Sequence, residues 1–249
     1  MDRFFVDKTN INLEDNKAKI NGEDVKHISK VLRLRVGEEV EICDKENSEY
    51  ICEINSIEKD EVCLNILTKK EVNREPKIKI KVYQGVPKGP KMEYILQKLT
   101  EVGVCEIILV DTKRSISKFD KKEDKKLERF ERIIYEASKQ SKRGQIPVLR
   151  GVLSFKEALV DMKNNDLNVV PYENERTTSI KKAIKGVNID SIGIFIGPEG
   201  GISEEEIESL EENNFTSVSL GPRILRTETA SVVASSIILY ELDDMGGQN

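Results

Sequence analysis

The chain has 249 residues, 38% of them apolar and 34% charged, with a formal net charge of −5 and one histidine, His27. That size and apolar content suffice for one large domain or two modest ones, each with a buried core. No uninterrupted apolar stretch nears the roughly 18 residues of a membrane span, residues 1–6 lack the apolar run of a signal peptide, and a single histidine gives a zinc site or a histidine-based triad almost nothing to be built from.

These exclusions describe a soluble, cytoplasmic protein with no metal and no membrane partner. The four cysteines, Cys43, Cys52, Cys63 and Cys105, show no Cys-x-x-Cys pair and read as reduced core residues. The charge is unevenly placed. Residues 1–75 carry 13 Lys and Arg against 18 Asp and Glu, residues 76–150 carry 19 against 10, and residues 151–249 carry 8 against 17. A basic middle in an acidic protein suggests a polyanionic partner, although solvated helix faces would produce the same count, since 121–126 mixes both signs.

Residues 1–72 read as a β-rich domain, with alternating runs at 36–43, 49–57 and 61–67 separated by turn-like 44–47 and 58–60. One short helix interrupts them at 24–33. It places Val25, Ile28, Val31 and Leu32 on one face and Lys26, Lys30 and Arg33 on the other. A small barrel carrying such a basic helix is suited to RNA, and His27 on the same helix reads as a packing or capping residue.

The polar cluster 73–75 ends in Pro76, and the character of the chain then changes, so a second domain is expected over 76–245. Strands are expected at 78–84, 106–110, 147–151, 167–171, 192–196 and 216–220. Helices are expected at 91–102, 125–141, 155–162 and 179–185 and after each of two glycine-proline loops. This alternation describes a largely parallel sheet covered on both faces. Residues 243–249 read as a frayed tail.

The first loop, Ile196-Gly197-Pro198-Glu199-Gly200-Gly201, joins a strand to a helix opened by a capping box, Ser203 with Glu206. Three acids in that first turn, Glu204, Glu205 and Glu206, make the helix end a poor phosphate site. The loop also lacks the P-loop lysine and the Gly-x-Gly-x-x-Gly spacing, so a cofactor without phosphates fits better than ATP or NAD. The second loop, Leu220-Gly221-Pro222-Arg223-Ile224-Leu225-Arg226, precedes Thr227-Glu228-Thr229 and presents two arginines able to hold a planar anion. Both loops follow strands, at the sheet edge where open α/β folds bind ligands. The helix that follows is small and apolar on nearly every side over 230–239; it serves either a subunit interface or ordinary packing on the sheet.

Taken together, 196–201 and 220–230 resemble the signature of the bacterial small-subunit ribosomal RNA methyltransferase E family, uracil-N3 enzymes of the SPOUT class. Residues 27–33, 98–104, Arg114-Ser115 and 136–143 match the same family pattern, whereas Asp111-Thr112-Lys113 is particular to this chain. The resemblance implies a PUA-like β-barrel followed by a SPOUT-type α/β domain with a deep C-terminal trefoil knot, an exception to the rule that chains do not thread loops. It also implies a homodimer, S-adenosyl-L-methionine as cofactor, and small-subunit ribosomal RNA or the assembled subunit as partner.

By matching motifs, the cofactor would be held by Ile196, Gly197, Pro198, Glu199, Gly200 and Gly201, by Leu220, Gly221, Arg223, Ile224, Leu225 and Thr229, and by the strand end Val170, Pro171, Tyr172 and Glu173. Arg226, at a buried loop–helix junction, is expected to stabilise the anionic base. Glu228 or Glu199 is a candidate proton acceptor, each with another reading: a helix cap for Glu228, cofactor or backbone hydrogen bonds for Glu199. RNA contact is assigned to Arg3, Lys26, Lys30, Arg33 and Arg35 in the first domain. In the basic middle it is assigned to Lys88, Lys91, Arg114, Lys118, Lys139, Lys142 and Arg143. A ribose 2′-hydroxyl methyltransferase of the same class and a non-catalytic RNA-binding or assembly protein are the rival readings.

Overall fold

The computed structural model describes residues 1–70, 74–115, 124–242 and 244–245. The chain divides into two compact units, Met1–Glu75 with Ser138–Ile146, and Pro76–Ala137 with Pro147–Asn249. That Ser138–Ile146, which begins in the last turn of the helix expected at 125–141, belongs with the first unit has no trace in the local sequence pattern.

In the first unit β1 (Arg3–Phe5), β2 (Ile11–Asn12) and β3 (Lys17–Asn21) precede a single α-turn, α1 (Glu23–Lys26). β4 (Glu39–Cys43), β5 (Glu49–Ile57) and β6 (Glu61–Lys70) follow. The six strands form one sheet in the order β1-β4-β5-β6-β3-β2, parallel between β1 and β4 and antiparallel elsewhere. β3 shows why: Lys17, Lys19 and Asn21 face water while Ala18 and Ile20 are buried, the period-two pattern of a sheet with one wet face. Phe4, Ile20, Val40, Ile42, Ile54, Val62 and Leu64 meet Val25 and Ile28 in the core. Register shifts at Ile51/Cys52 and Ile54/Ser56 bend the β5–β6 hairpin. All four cysteines are free, and burial pushes the Cys52 thiol up to about 12, which makes it an inert core group.

The basic helix is not a regular α-helix. α1 passes into a π-turn over His27–Leu32 that ends at Arg33 with a left-handed φ of 56°. Val25 and Ile28 are buried as the helical spacing requires, but Val31 is 67% exposed. The wider i to i+5 bonding of the π-turn shifts its side chains around the axis and carries Val31 off the apolar face.

In the second unit strands and helices alternate: β7 (Lys79–Gly85), α2 (Lys91–Val102), β8 (Glu106–Asp111), α3 (Asp124–Gln140), β9 (Val148–Ser154) and α4 (Phe155–Met162) come first. They are followed by β10 (Leu167–Pro171), α5 (Ile180–Ile184), β11 (Ser191–Ile196), α6 (Glu204–Glu212), β12 (Thr216–Val218) and α7 (Thr227–Glu241). Every ladder is parallel, in the order β12-β10-β11-β7-β8-β9. Tyr83, Ile108, Val170 and Phe195 pack with Ala158 and Met162 of α4 and Ile207 and Leu210 of α6. α7 packs on α2, α5, β7 and β11. The capping box is present as the sequence suggests, Ser203 accepting from the Glu206 amide while Glu206 accepts from the Ser203 amide.

Candidate functional site

Because the sheet is parallel throughout, the loops that follow its strands gather at one edge. There the segment after β10 and the segment after β12 wall a pocket of about 500 Å³. One wall is Pro171, Tyr172, Glu173, Asn174, Glu175 and Arg176; the other is Ser219, Leu220, Gly221, Pro222, Arg223, Ile224 and Leu225, with Ala230 of α7 completing the lining. Gly221 has a φ of +106°, a conformation that an L side chain rarely adopts. The turn it permits leaves Ile224 86% exposed at the pocket, an apolar side chain that water alone would not favour there.

The two walls are tied together. The Tyr172 amide donates to the Val218 carbonyl at 3.0 Å and the Ser219 amide to the Thr178 carbonyl at 2.8 Å. Glu175 orders the first wall from within: one of its oxygens accepts from the Thr177 amide at 2.6 Å, the Thr177 hydroxyl at 2.7 Å and the Thr178 amide at 2.9 Å. Those bonds, the hydroxyl's foremost, hold its carboxyl down at about 2.

The first glycine loop is placed differently from what its motif suggests. None of Ile196, Gly197, Pro198, Glu199, Gly200 and Gly201 lines this pocket. Ile196 and Pro198 are buried; a Cβ on Gly85 would meet Pro198 at 2.7 Å. Thr227 at the start of α7 donates its hydroxyl to the Gly197 carbonyl at 2.6 Å, and the buried Gln84 donates to that hydroxyl at 2.9 Å. Glu199 accepts from the Lys88 amide at 3.0 Å and pairs with Lys91 at 3.0 Å. Burial alone would raise its carboxyl, but Lys91 and the backbone amides hold it below the usual carboxylate range. The Arg114 guanidinium donates to the Gly200 carbonyl at 3.0 Å. The strand order accounts for these contacts: β11 lies between β7 and β10, so its loop meets the segment after β7 on one side and the first pocket wall on the other, where a Cβ on Gly201 would stand 3.2 Å from Glu173, whereas β10 and β12 are neighbours and their loops face each other across the pocket.

Of the strand-end residues, Pro171, Tyr172 and Glu173 line the pocket, while Val170 is buried in β10. Leu220, Gly221, Arg223, Ile224 and Leu225 line it and the exposed Thr229 does not. Asn174, Glu175, Arg176, Ser219, Pro222 and Ala230 are lining residues absent from the expected cofactor set. The polar run 173–179 between a strand and a helix was the signal for a structured wall.

Arg226 is exposed rather than buried, because it is the N-cap residue of α7 and its side chain turns to solvent without making a cap bond. Glu228 lies in the first turn of α7, half-buried, and one of its carboxylate oxygens is shut off from solvent with no hydrogen-bond partner. Glu199, fully engaged, is the weaker proton acceptor of the two.

The basic residues fall into separate groups. Arg3 is buried, paired with Glu41 and Glu49, and donates to the Arg143 carbonyl. Arg143 is buried against Glu75, and Lys139 pairs with Asp24 at 3.1 Å and lies 4.7 Å over the Phe4 ring. Burial and internal partners take Arg3 and Arg143 out of the RNA-contact set, and Lys139 is largely occupied inside the first unit. Lys91 and Arg114 are committed to the first glycine loop. Lys26, Lys30, Arg33, Arg35, Lys88 and Lys142 reach solvent, and Lys118 lies outside the described residues. Among the described residues no three His, Cys, Asp or Glu side chains group to hold a metal ion, and no helix is long and apolar enough to cross a membrane.

A family model described as an RNA methyltransferase domain matches residues 73–239, and one described as an RNA methyltransferase PUA domain matches residues 20–67. Over 99% of both chains the sequence is 38% identical to ribosomal RNA small subunit methyltransferase E of Bacillus subtilis. The Aquifex aeolicus protein of that name is 33% identical, with 87% of this chain and 91% of that one covered. Among solved structures, a methyltransferase of Legionella pneumophila in complex with bound SAM superposes with a TM-score of 0.86 at 31% identity, covering 96% of each chain. Ribosomal RNA small subunit methyltransferase E of Neisseria gonorrhoeae, bound to S-adenosyl methionine, superposes with a TM-score of 0.85 at 29% identity, covering 96% of this chain and 97% of that one.

Proposed function

The chain belongs to the RNA methyltransferase family, and from that premise we propose that it methylates N3 of a uracil in small-subunit ribosomal RNA with S-adenosylmethionine as donor. The observation that carries the reading is the pocket at the carboxyl edge of the parallel sheet, walled by the second glycine-proline loop.

The lining suits that donor. Pro171, Leu220, Ile224 and Leu225 offer apolar surface to an adenine and a thioether chain; Arg176 and Arg223 suit a carboxylate; Glu173 suits an ammonium or a ribose hydroxyl pair. Bound there, S-adenosylmethionine supplies an electrophilic sulfonium methyl group. The remaining work falls to the chain, which must hold a uracil with N3 aligned and its proton removed. Arg226 faces solvent until RNA covers it; covered, its charge stabilises the anionic ring more strongly than it would in water. Glu228, with its shielded and unpartnered oxygen, is the group we assign to accept the N3 proton.

The same reading includes a closed PUA-like barrel, a trefoil knot and a dimer. Supporting the knot, Thr227 after the second loop is bonded to Gly197 of the first, with Gln84 of β7 completing the chain of contacts. Supporting the dimer, Tyr94 on α2 and Tyr240 on α7 are 50% and 66% exposed on helices that pack together. Substrate RNA, free or assembled into the subunit, would be met in the cytoplasm.

Calorimetry with S-adenosylmethionine tests the pocket: saturable binding is expected, and none would leave a non-catalytic RNA-binding protein. Mass mapping of modified nucleosides in ribosomal RNA from a deletion strain tests the reaction, with loss of one N3-methyluridine expected. Loss of a ribose-methylated nucleoside instead would move the enzyme to the 2′-hydroxyl class.

A further inference from the structure

We propose that Glu175 is a positioning residue of the pocket, holding the 172–178 wall in the conformation that admits the methyl donor; this rests on the reading of that pocket as the donor site. The wall is irregular backbone between β10 and α5, and a segment of that kind loses conformational entropy when it is ordered. Its order has a visible source. One oxygen of Glu175 gathers two successive backbone amides, Thr177 and Thr178, and the Thr177 hydroxyl, all at 2.6–2.9 Å. A carboxylate chelating amides two and three residues ahead closes the chain into a turn.

The consequence reaches the opposite wall. Thr178, fixed through its amide, presents its carbonyl to the Ser219 amide at 2.8 Å, and Ser179 forms a parallel bridge with Ser219. Ser219 begins the segment that carries Leu220 to Leu225, so one carboxylate sets the spacing of both walls. Its neighbours Glu173, Asn174 and Arg176 line the pocket along with it. With three donors converging on a single oxygen, Glu175 stays ionised well below neutral pH, so it is neither a base for the reaction nor a source of pH dependence between pH 5 and 8.

Arg176 and Arg223 have no carboxylate partner among the described residues. A Glu175 carboxylate free to swing would offer them one and compete with the donor's own carboxylate, which the closed turn prevents.

The experiment compares Glu175→Ala, Glu175→Gln and Thr177→Val in the full chain, measuring S-adenosylmethionine affinity by calorimetry without RNA, then turnover at saturating donor. Glu175→Ala should weaken donor affinity about tenfold, because binding must now order the wall, with turnover at saturation within about twofold of the parent protein. Glu175→Gln, which keeps a carbonyl oxygen at the same place, should recover most of the affinity, and Thr177→Val, losing one bond of three, should fall between. Hydrogen exchange at the Thr177 and Thr178 amides should quicken in Glu175→Ala while β10 and β11 stay protected, which separates a loosened wall from an unfolded unit. Unchanged affinity in Glu175→Ala, or reduced turnover with unchanged affinity, would overturn the positioning role while the donor reading stood. Absence of binding by the parent protein would overturn the donor reading itself.

Discussion

Arginines stand in opposite situations in the two units. Arg3 and Arg143 of the first are buried among Glu41, Glu49 and Glu75, whereas Arg176, Arg223 and Arg226 of the second are exposed and have no carboxylate partner among the described residues. The first set holds Ser138–Ile146 to the β-sheet of its own unit; in the second, Arg176 and Arg223 line the pocket and Arg226 stands at the N-cap of the helix that follows its second wall. A guanidinium is always charged, so the chemistry available to it depends on what already occupies its donors. Carboxylates divide in a similar way: Glu199 engages both oxygens with Lys88 and Lys91 and Glu175 gathers three donors on one oxygen, while Glu228 keeps an oxygen that is shut off from solvent without a partner.

The sharpest way to break the comparison is to remove one arginine of each kind. Arg3→Ala leaves two carboxylates buried in the first unit, and breaking a buried pair costs about 3–5 kcal/mol. The lower end is expected, since Lys70 still faces Glu41 and Arg74 still faces Glu49. Denaturant unfolding should report that loss, with donor affinity in the folded protein unchanged. Arg226→Ala should do the reverse, lowering turnover on the order of 10²–10³-fold while the melting temperature and donor affinity hold. Equal stability losses in the two variants would erase the distinction.

A smaller effect tests the saturated carboxylates. Glu199 has a folded-state pKa held below its unfolded value, so the stability it contributes is fully present above an unfolded pKa of about 4.3 and is lost as pH falls through the folded value. Glu199→Gln should therefore be less stable than the parent protein at pH 7, and the gap should close in acid. A gap that did not narrow at all as the pH was lowered would mean that the charge is not what Lys91 and the Lys88 amide recognise. The smallest effect is expected at the exposed π-turn. Replacing Lys30 or Arg33 by Ala should weaken RNA binding modestly and reduce the salt dependence by about one counterion each. Unaltered RNA affinity at low salt would move the contact elsewhere.

Much of the architecture was legible because it is written in short-range physics. The bounds of α2 and α4, the Ser203 capping box and the alternation that demands a parallel sheet depend on residues within a turn or two of each other, where periodicity and capping chemistry act. The π-turn was not legible, since helical spacing assumes one period throughout and places Val31 in the core. The pocket was legible in part: its second wall carries a glycine-proline motif and the family resemblance pointed to Pro171, Tyr172 and Glu173 of the first, but the turn that Glu175 closes beyond them carries no motif.

By itself, then, the sequence determined the elements, the edge of the sheet where a ligand would sit and the family to which the chain is similar, because these rest on local preferences and on short motifs. Tertiary structure alone decided which loops face each other and which charges stay free. The order β12-β10-β11-β7 sets one glycine loop between Lys88, Arg114 and the Glu173 end of the first pocket wall, and the other across the pocket from Glu175. Arg3 is made structural by a carbonyl 140 positions away, a distance over which burial and pairing act only once the chain has folded.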